Sequence, residues 1–250
     1  MEEALNNFFK FDIAGEVYTS LLVIAIMIVL SIIIGIQAAL QDPLKKPKGL
    51  LLIAEIGVNF FDRLVNDLMG PHFKGFGGII MGIACYLFLS FIVGLTGLPS
   101  PVVYLAVPLS LGMVTFGYIH FTSMKYTKWA YFKRYIDPIP IFLPINLISM
   151  WAPLLSLTMR LFGNAISGWT LMTLVYWALE ELSNLIVTLP KEMAGFSVIA
   201  PFITPVLHAY FDIFSGFIQT TVFIFLTMIF VSQEGPEDVA IKELSKEGGR

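Results

Sequence analysis

Long apolar runs separated by short polar breaks organise this chain. Residues 17–36 carry no charge, and their length matches the roughly 20 residues a helix needs to cross a bilayer. The run ends at Gln41, Asp42 and Pro43, with Lys45, Lys46 and Lys48 behind it. Residues 49–69 differ. Glu55, Asn59, Asp62, Arg63, Asn66 and Asp67 interrupt an apolar series, Ile53, Ile56, Phe60, Leu64 and Leu68, spaced by threes and fours. That period predicts an amphipathic helix lying along the membrane surface or packed on other subunits. Residues 76–95 and 102–122 predict two more spans, joined by the turn Thr96-Gly97-Leu98-Pro99-Ser100-Pro101. Glycines 75, 77, 78 and 82 permit close helix contact in the first of these. A basic, aromatic segment follows them, with Lys125, Lys128, Trp129, Tyr131, Lys133, Arg134 and Tyr135, a composition suited to the headgroup zone.

Two longer apolar elements complete the pattern. Residues 140–179 follow Pro138 and contain Pro144, and residues 201–231 open at Pro201 and Pro205. Between them, residues 180–192, with Glu180, Glu181, Lys191 and Glu192, read as a polar loop, and residues 233–250 form a charged tail. A helix over residues 144–179 would be about 54 Å long, against a hydrocarbon core of about 30 Å. Fitting it inside requires a tilt of about 55°, beyond the usual range, or a bend near Pro153, or ends that leave the core. The predicted fold is therefore an all-α integral membrane protein in one domain. It has five transmembrane helices and one amphipathic surface helix, the last two spans being long and steeply inclined.

Composition supports this class, with 57% hydrophobic and only 13% charged residues, far from the quarter charged that is usual in soluble domains. The net charge of −3 comes with no basic stripe for nucleic acid. Cys85 is the only cysteine, so neither a disulfide framework nor a cysteine metal site is expected. The acidic start of the chain does not resemble the basic flank of a cleavable signal. The basic breaks after residues 36 and 122 fall on one side of a five-span topology, which puts them and the C-terminus in the cytoplasm and the N-terminus outside.

Arg160 is the only charged side chain in residues 150–177. A guanidinium does not escape its charge by losing a proton. At the bilayer centre it costs from about 2.5 to roughly 17 kcal/mol, depending on the scale. Gly163, Asn164 and Ser167 lie three, four and seven residues on, along one helical face. The last element repeats the arrangement: His208, Asp212, Ser215, Gly216 and Gln219 share a face, with Thr220 on its flank. Asp212 is a second ionisable group at membrane depth. An Arg160–Asp212 ion pair joining two helices is the structural alternative, although such buried pairs stabilise poorly after desolvation. Asn164 and Gln219 alone would serve as interhelical hydrogen-bonding groups. No phosphate-cradling glycine loop, Ser/His/Asp arrangement or Cys/His ligand cluster is present, and nothing points to covalent catalysis.

The run Leu157-Thr158-Met159-Arg160-Leu161-Phe162-Gly163-Asn164, with Pro144-Ile145-Asn146 upstream and Gln219 in the last span, resembles subunit a of bacterial F-type ATP synthases. The resemblance implies a non-catalytic, ion-translocating stator in the bacterial plasma membrane, one copy per complex, without a cofactor or metal. Its implied partners are a ring of c subunits, the b-subunit peripheral stalk and the lipid bilayer, not nucleic acid. It further implies two half-channels, most simply for protons, with Arg160 facing the ring carboxylate. Arg160, Asn164, Ser167, His208, Asp212 and Gln219 are then the ion-route residues, and Gly163 and Gly216 serve helix packing. The chain departs from the family pattern in two places: Trp169 stands where a carboxylate is frequent, and Ser149 and Met150 occupy an upstream glutamate region. Asp212 fills the titratable place seven residues before Gln219. Asp212, His208, Glu180 and Glu181 are left to line the outer route. A stand-alone transporter of an anionic substrate is the alternative, but no internal repeat supports it.

Overall fold

In a computed structural model describing residues 15–42, 46–127, 143–186 and 200–235, every regular element is helical. We label them α1 (Gly15–Leu40), α2 (Leu50–Met69), α3 (Phe76–Val93), α4 (Ala106–Thr127), α5 (Leu143–Ile186) and α6 (Ala200–Ser232). The predicted basic and aromatic positions from Lys128 to Tyr135, the loop positions Lys191 and Glu192, and the tail beyond Gly235 lie outside the described residues.

Four of the described helices are long and apolar enough to cross a membrane, over Val17–Leu40, Phe76–Thr96, Leu143–Ser183 and Ala200–Ser232. In α1 only 11% of the apolar window is buried inside the chain. A side-chain surface of that composition left open to water would be a large apolar patch, so lipid is its natural solvent. The helix α4, where a span over residues 102–122 was expected, is less apolar. It begins at Ala106, after a short 3-10 turn at Pro101–Val103, and its Thr115, Thr122 and Ser123 are buried against neighbouring helices.

The core is built on α3 and α6. Ile80, Leu87 and Phe91 of α3 share one buried cluster with Phe223, Met228 and Val231 of α6, joined by Leu157, Leu161 and Ala165 of α5 and by Val65 and Met69 of α2. Thus the amphipathic α2 turns Val65 and Met69 inward and leaves Ile53, Ile56 and Phe60 exposed. Two glycines allow close approaches between long helices. A methyl group added at Gly216 would stand 2.7 Å from Phe91 Cβ, and one at Gly112 would stand 2.5 Å from Thr158 Oγ1. The packing of α6 on α3 and of α4 on α5 therefore requires those small residues.

Two features of the long helices depart from expectation. Residues 180–186, read as loop, continue α5 without a break, so the helix has 44 residues and a length of about 66 Å. Glutamate and leucine are good helix formers, and no proline intervenes before Pro190. Pro153 lies inside the same helix. The second departure is in α6, where Ala209–Phe214 forms a π-helical segment between two α-helical stretches. Such insertions occur frequently at functional sites, and this one contains Asp212.

Candidate functional site

Arg160 projects from the open side of α5. It is exposed and makes no hydrogen bond or ion pair among the described residues. The structural alternative of an Arg160–Asp212 pair is therefore not what the chain forms. Gly163 and Ser167 share this open side. Ser167 Oγ donates back to the Asn164 carbonyl at 3.0 Å. A methyl added at Gly163 would meet no atom within 4 Å. Among the described residues no helix covers that face, so the packing partner expected for Gly163 is not found there; Gly216, by contrast, is tightly packed on Phe91.

Asn164 turns the other way. It is half-buried, and its Nδ2 donates to Ser215 Oγ at 2.8 Å, tying α5 to α6. This tie sits at the edge of a cavity of about 530 Å³ bounded by α5, α6 and the α3–α4 turn. Three side chains in the cavity wall are bonded in series. Asp212 Oδ2 lies 2.5 Å from His208 Nδ1, and His208 Nε2 lies 2.9 Å from the Tyr176 hydroxyl. Both members of the His208–Asp212 pair are about a quarter exposed at their side chains, 27% and 23%, so neither is sealed from water in the cavity. Gly94 backs the carboxylate: a methyl there would lie 3.6 Å from Asp212 Oδ1. The imidazole thus bridges a phenol and a carboxylate, a chain of groups able to pass a proton.

Gln219 lies further along α6, and its Oε1 is buried with no hydrogen-bond partner among the described residues. An unmade hydrogen bond at that depth costs about 1–3 kcal/mol. Glu180 and Glu181, expected as alternatives on the outer route, sit further along α5 and line no part of the cavity. Trp169, noted for its lack of a carboxylate, forms part of its wall. Sequence reasoning missed Tyr176. The signal was there: Asn164, Gly168, Met172 and Tyr176 recur every four residues along α5, and all four face the cavity.

A second cavity, of about 290 Å³, lies at the other end of the same helices. It is lined on α5 by Asn146, Ser149 and Pro153, on α4 by His120 and Ser123, and just beyond α6 by Gln233 and Glu234. Ser123 Oγ donates to Glu234 Oε2 at 2.6 Å. Glu234 belongs to the charged tail expected over residues 233–250, yet it is the first charged residue after the apolar run of α6 and folds back onto α4. Along α5 the two cavities flank Arg160. Pro153 precedes it by about 10 Å of helical rise and Asn164 follows it by about 6 Å. No group of three His, Cys, Asp or Glu able to hold a metal ion occurs among the described residues.

Comparison with known proteins agrees with this geometry. The sequence profile of the ATP synthase A chain family matches residues 17–232. An ATP synthase subunit a of Mycoplasma pneumoniae is 28% identical over 85% of this chain and 76% of its own length. The subunit of that name from Mycoplasma genitalium is 31% identical over 74% of this chain and 67% of its own length. A relative from Propionigenium modestum, described as sodium ion specific, is 26% identical over 92% of this chain and 81% of its own length.

Proposed function

Because the chain belongs to the ATP synthase A chain family, and is thus an ion-translocating subunit of that complex's membrane sector, we propose that Arg160 separates two half-channels for protons. The observation that carries this reading is the placement of one cavity able to hold several waters on each side of Arg160 along α5. Neither cavity includes Arg160 in its wall. An ion passing from one to the other must leave the chain, ride on a group of a partner, and return.

That partner is the ring of c subunits, whose carboxylate meets the open side of α5 at Arg160. A permanent cation near a carboxylate favours its ionised form, by about 4 kcal/mol at 4 Å with an effective dielectric of 20. Arg160 thereby strips the proton from each arriving ring site and blocks a short circuit. Lysine would serve poorly, since it is a point charge that loses its proton when desolvated. The exposure of Gly163 and Ser167 supports this docking, because small residues let a second helix come close. The peripheral stalk of b subunits holds the chain against the ring. The drive is about 2.3 kcal/mol per proton for each 100 mV. Nucleotide chemistry resides in other subunits.

The cavity at Asp212 is the outer half-channel, and the cavity at Ser149 and Glu234 is the inner one. This follows the positive-inside orientation, with five spans, α2 along the inner membrane surface, the N-terminus outside and the C-terminus in the cytoplasm. Protons rather than sodium ions fit the outer route, where the Tyr176–His208–Asp212 series carries an imidazole at its centre. The test is ATP-driven acidification of inverted membrane vesicles at fixed ionic strength, with and without sodium. Equal rates are expected. A rate that needs sodium would replace the proton by sodium and leave the two-cavity reading intact.

A further inference from the structure

The inner cavity holds a carboxylate that no ion-route residue named above supplies. Its other polar lining groups are neutral amides and hydroxyls, with His120 the only other titratable side chain. Glu234 sits in the first turn beyond α6, half-buried, at the end of the helix that carries Asp212 and Gln219. Its carboxylate is held by the hydroxyl of Ser123, which is only 2% exposed and lies on a different helix. A side chain near a helix end normally swings free into solvent. This one is fixed at 2.6 Å by a buried donor and faces a cavity with room for several waters.

We infer that Glu234 is the proton-exchanging group of the inner route, relaying protons between the cavity water and the cytoplasm, and that Ser123 is its positioning residue. The inference rests on the two-half-channel reading above. In the relay a proton leaving the ring passes through cavity water to a Glu234 carboxylate oxygen. The same oxygen then releases it to bulk water, restoring the carboxylate. His120, across the cavity wall on α4, offers a slower parallel acceptor.

The test uses the assembled complex in inverted vesicles, whose outer surface is the cytoplasmic one. Glu234→Cys should assemble in normal amount and pump about tenfold more slowly, short of the roughly 10²-fold typical when a sole proton-transfer group is lost. Coupling the new thiol to carboxyethyl methanethiosulfonate, which forms a mixed disulfide and releases methanesulfinate, should restore most of the rate. The sulfonatoethyl reagent, equally negative but unable to take up a proton, should not; the native chain, with Cys85, serves as the reagent control. Restoration by both reagents would reduce Glu234 to a fixed charge, and restoration by neither would reduce it to a structural tie. A native rate in Glu234→Cys, or loss of assembly in both Glu234→Cys and Glu234→Gln, would equally overturn the inference. An Arg160→Ala sample run alongside separates the two claims. If it loses pumping while Glu234→Cys pumps normally, the half-channel reading stands and only the role of Glu234 falls.

Discussion

Arg160 and Asp212 are both ionisable groups deep in apolar helices, and the chain treats them in opposite ways. Asp212 is bonded to His208, backed by Gly94 and open to a cavity, so its charge is accommodated inside the molecule. Arg160 stands on an uncovered helix face with no partner among the described residues. In the reading proposed above, the difference separates a group that handles ions within the subunit from one that needs something outside it. A guanidinium exposed to lipid alone would be expensive. On that reading, the described residues complete the surroundings of Asp212 and leave those of Arg160 to a partner.

Short of removing the charge altogether, exchanging the arginine for lysine should break the comparison most severely. Arg160→Lys is expected to slow ATP-driven pumping by about 10²-fold with assembly intact, since the charge becomes titratable and loses its planar fork. Vesicle acidification normalised to subunit content measures this. The two glycines sharpen the contrast between covered and uncovered faces. Gly163→Leu should leave the chain as stable as before yet slow pumping about tenfold by holding the ring away, as small residues set interhelical distance. Gly216→Leu should instead lower the chain's stability by about 1–3 kcal/mol through overpacking on Phe91, read as a lower melting point of the purified complex. If Gly163→Leu destabilises the isolated chain, its open face is misread.

On the Asp212 side the effects should be smaller, because water in the cavity shares the path. Asp212→Asn removes one charge-assisted hydrogen bond, worth about 1.5–3 kcal/mol, and should slow proton uptake from the outer side roughly tenfold. Stopped-flow pH traces of energised vesicles would report it, and an unchanged rate would remove Asp212 from the route. Tyr176→Phe loses a neutral hydrogen bond of about 0.5–1.5 kcal/mol and should slow the same step only about two- to fivefold.

How far these features can be read from the residues depends on their range. A lone charge in an apolar run is a local signal, and Arg160 stands out without any structure. The four-residue spacing of His208 and Asp212 likewise puts them on one helical face, and they bond there. The Asn164–Ser215 bond joins residues on different helices, and no local pattern reports such a pairing. The same applies to Ser123 and Glu234, which lie on α4 and just beyond α6. Glu180 and Glu181 misled in the opposite direction, because charge was taken to end a helix that they continue. Nor does composition separate Gly163 from Gly216. Only the neighbours do, and Phe91 lies beside one of them alone.

The central claim is that Arg160 keeps the two cavities from exchanging protons except by way of the ring. The most direct measurement compares native and Arg160→Ala complexes in the same vesicles, following ATP-driven acidification and passive proton flow after the ATP-hydrolysing subunits are stripped away. Removal of a favourable interaction of about 4 kcal/mol predicts loss of pumping by about 10³-fold, with subunit content unchanged and passive proton flow preserved or raised. Native pumping in Arg160→Ala, or a passive flow abolished together with pumping, would contradict it.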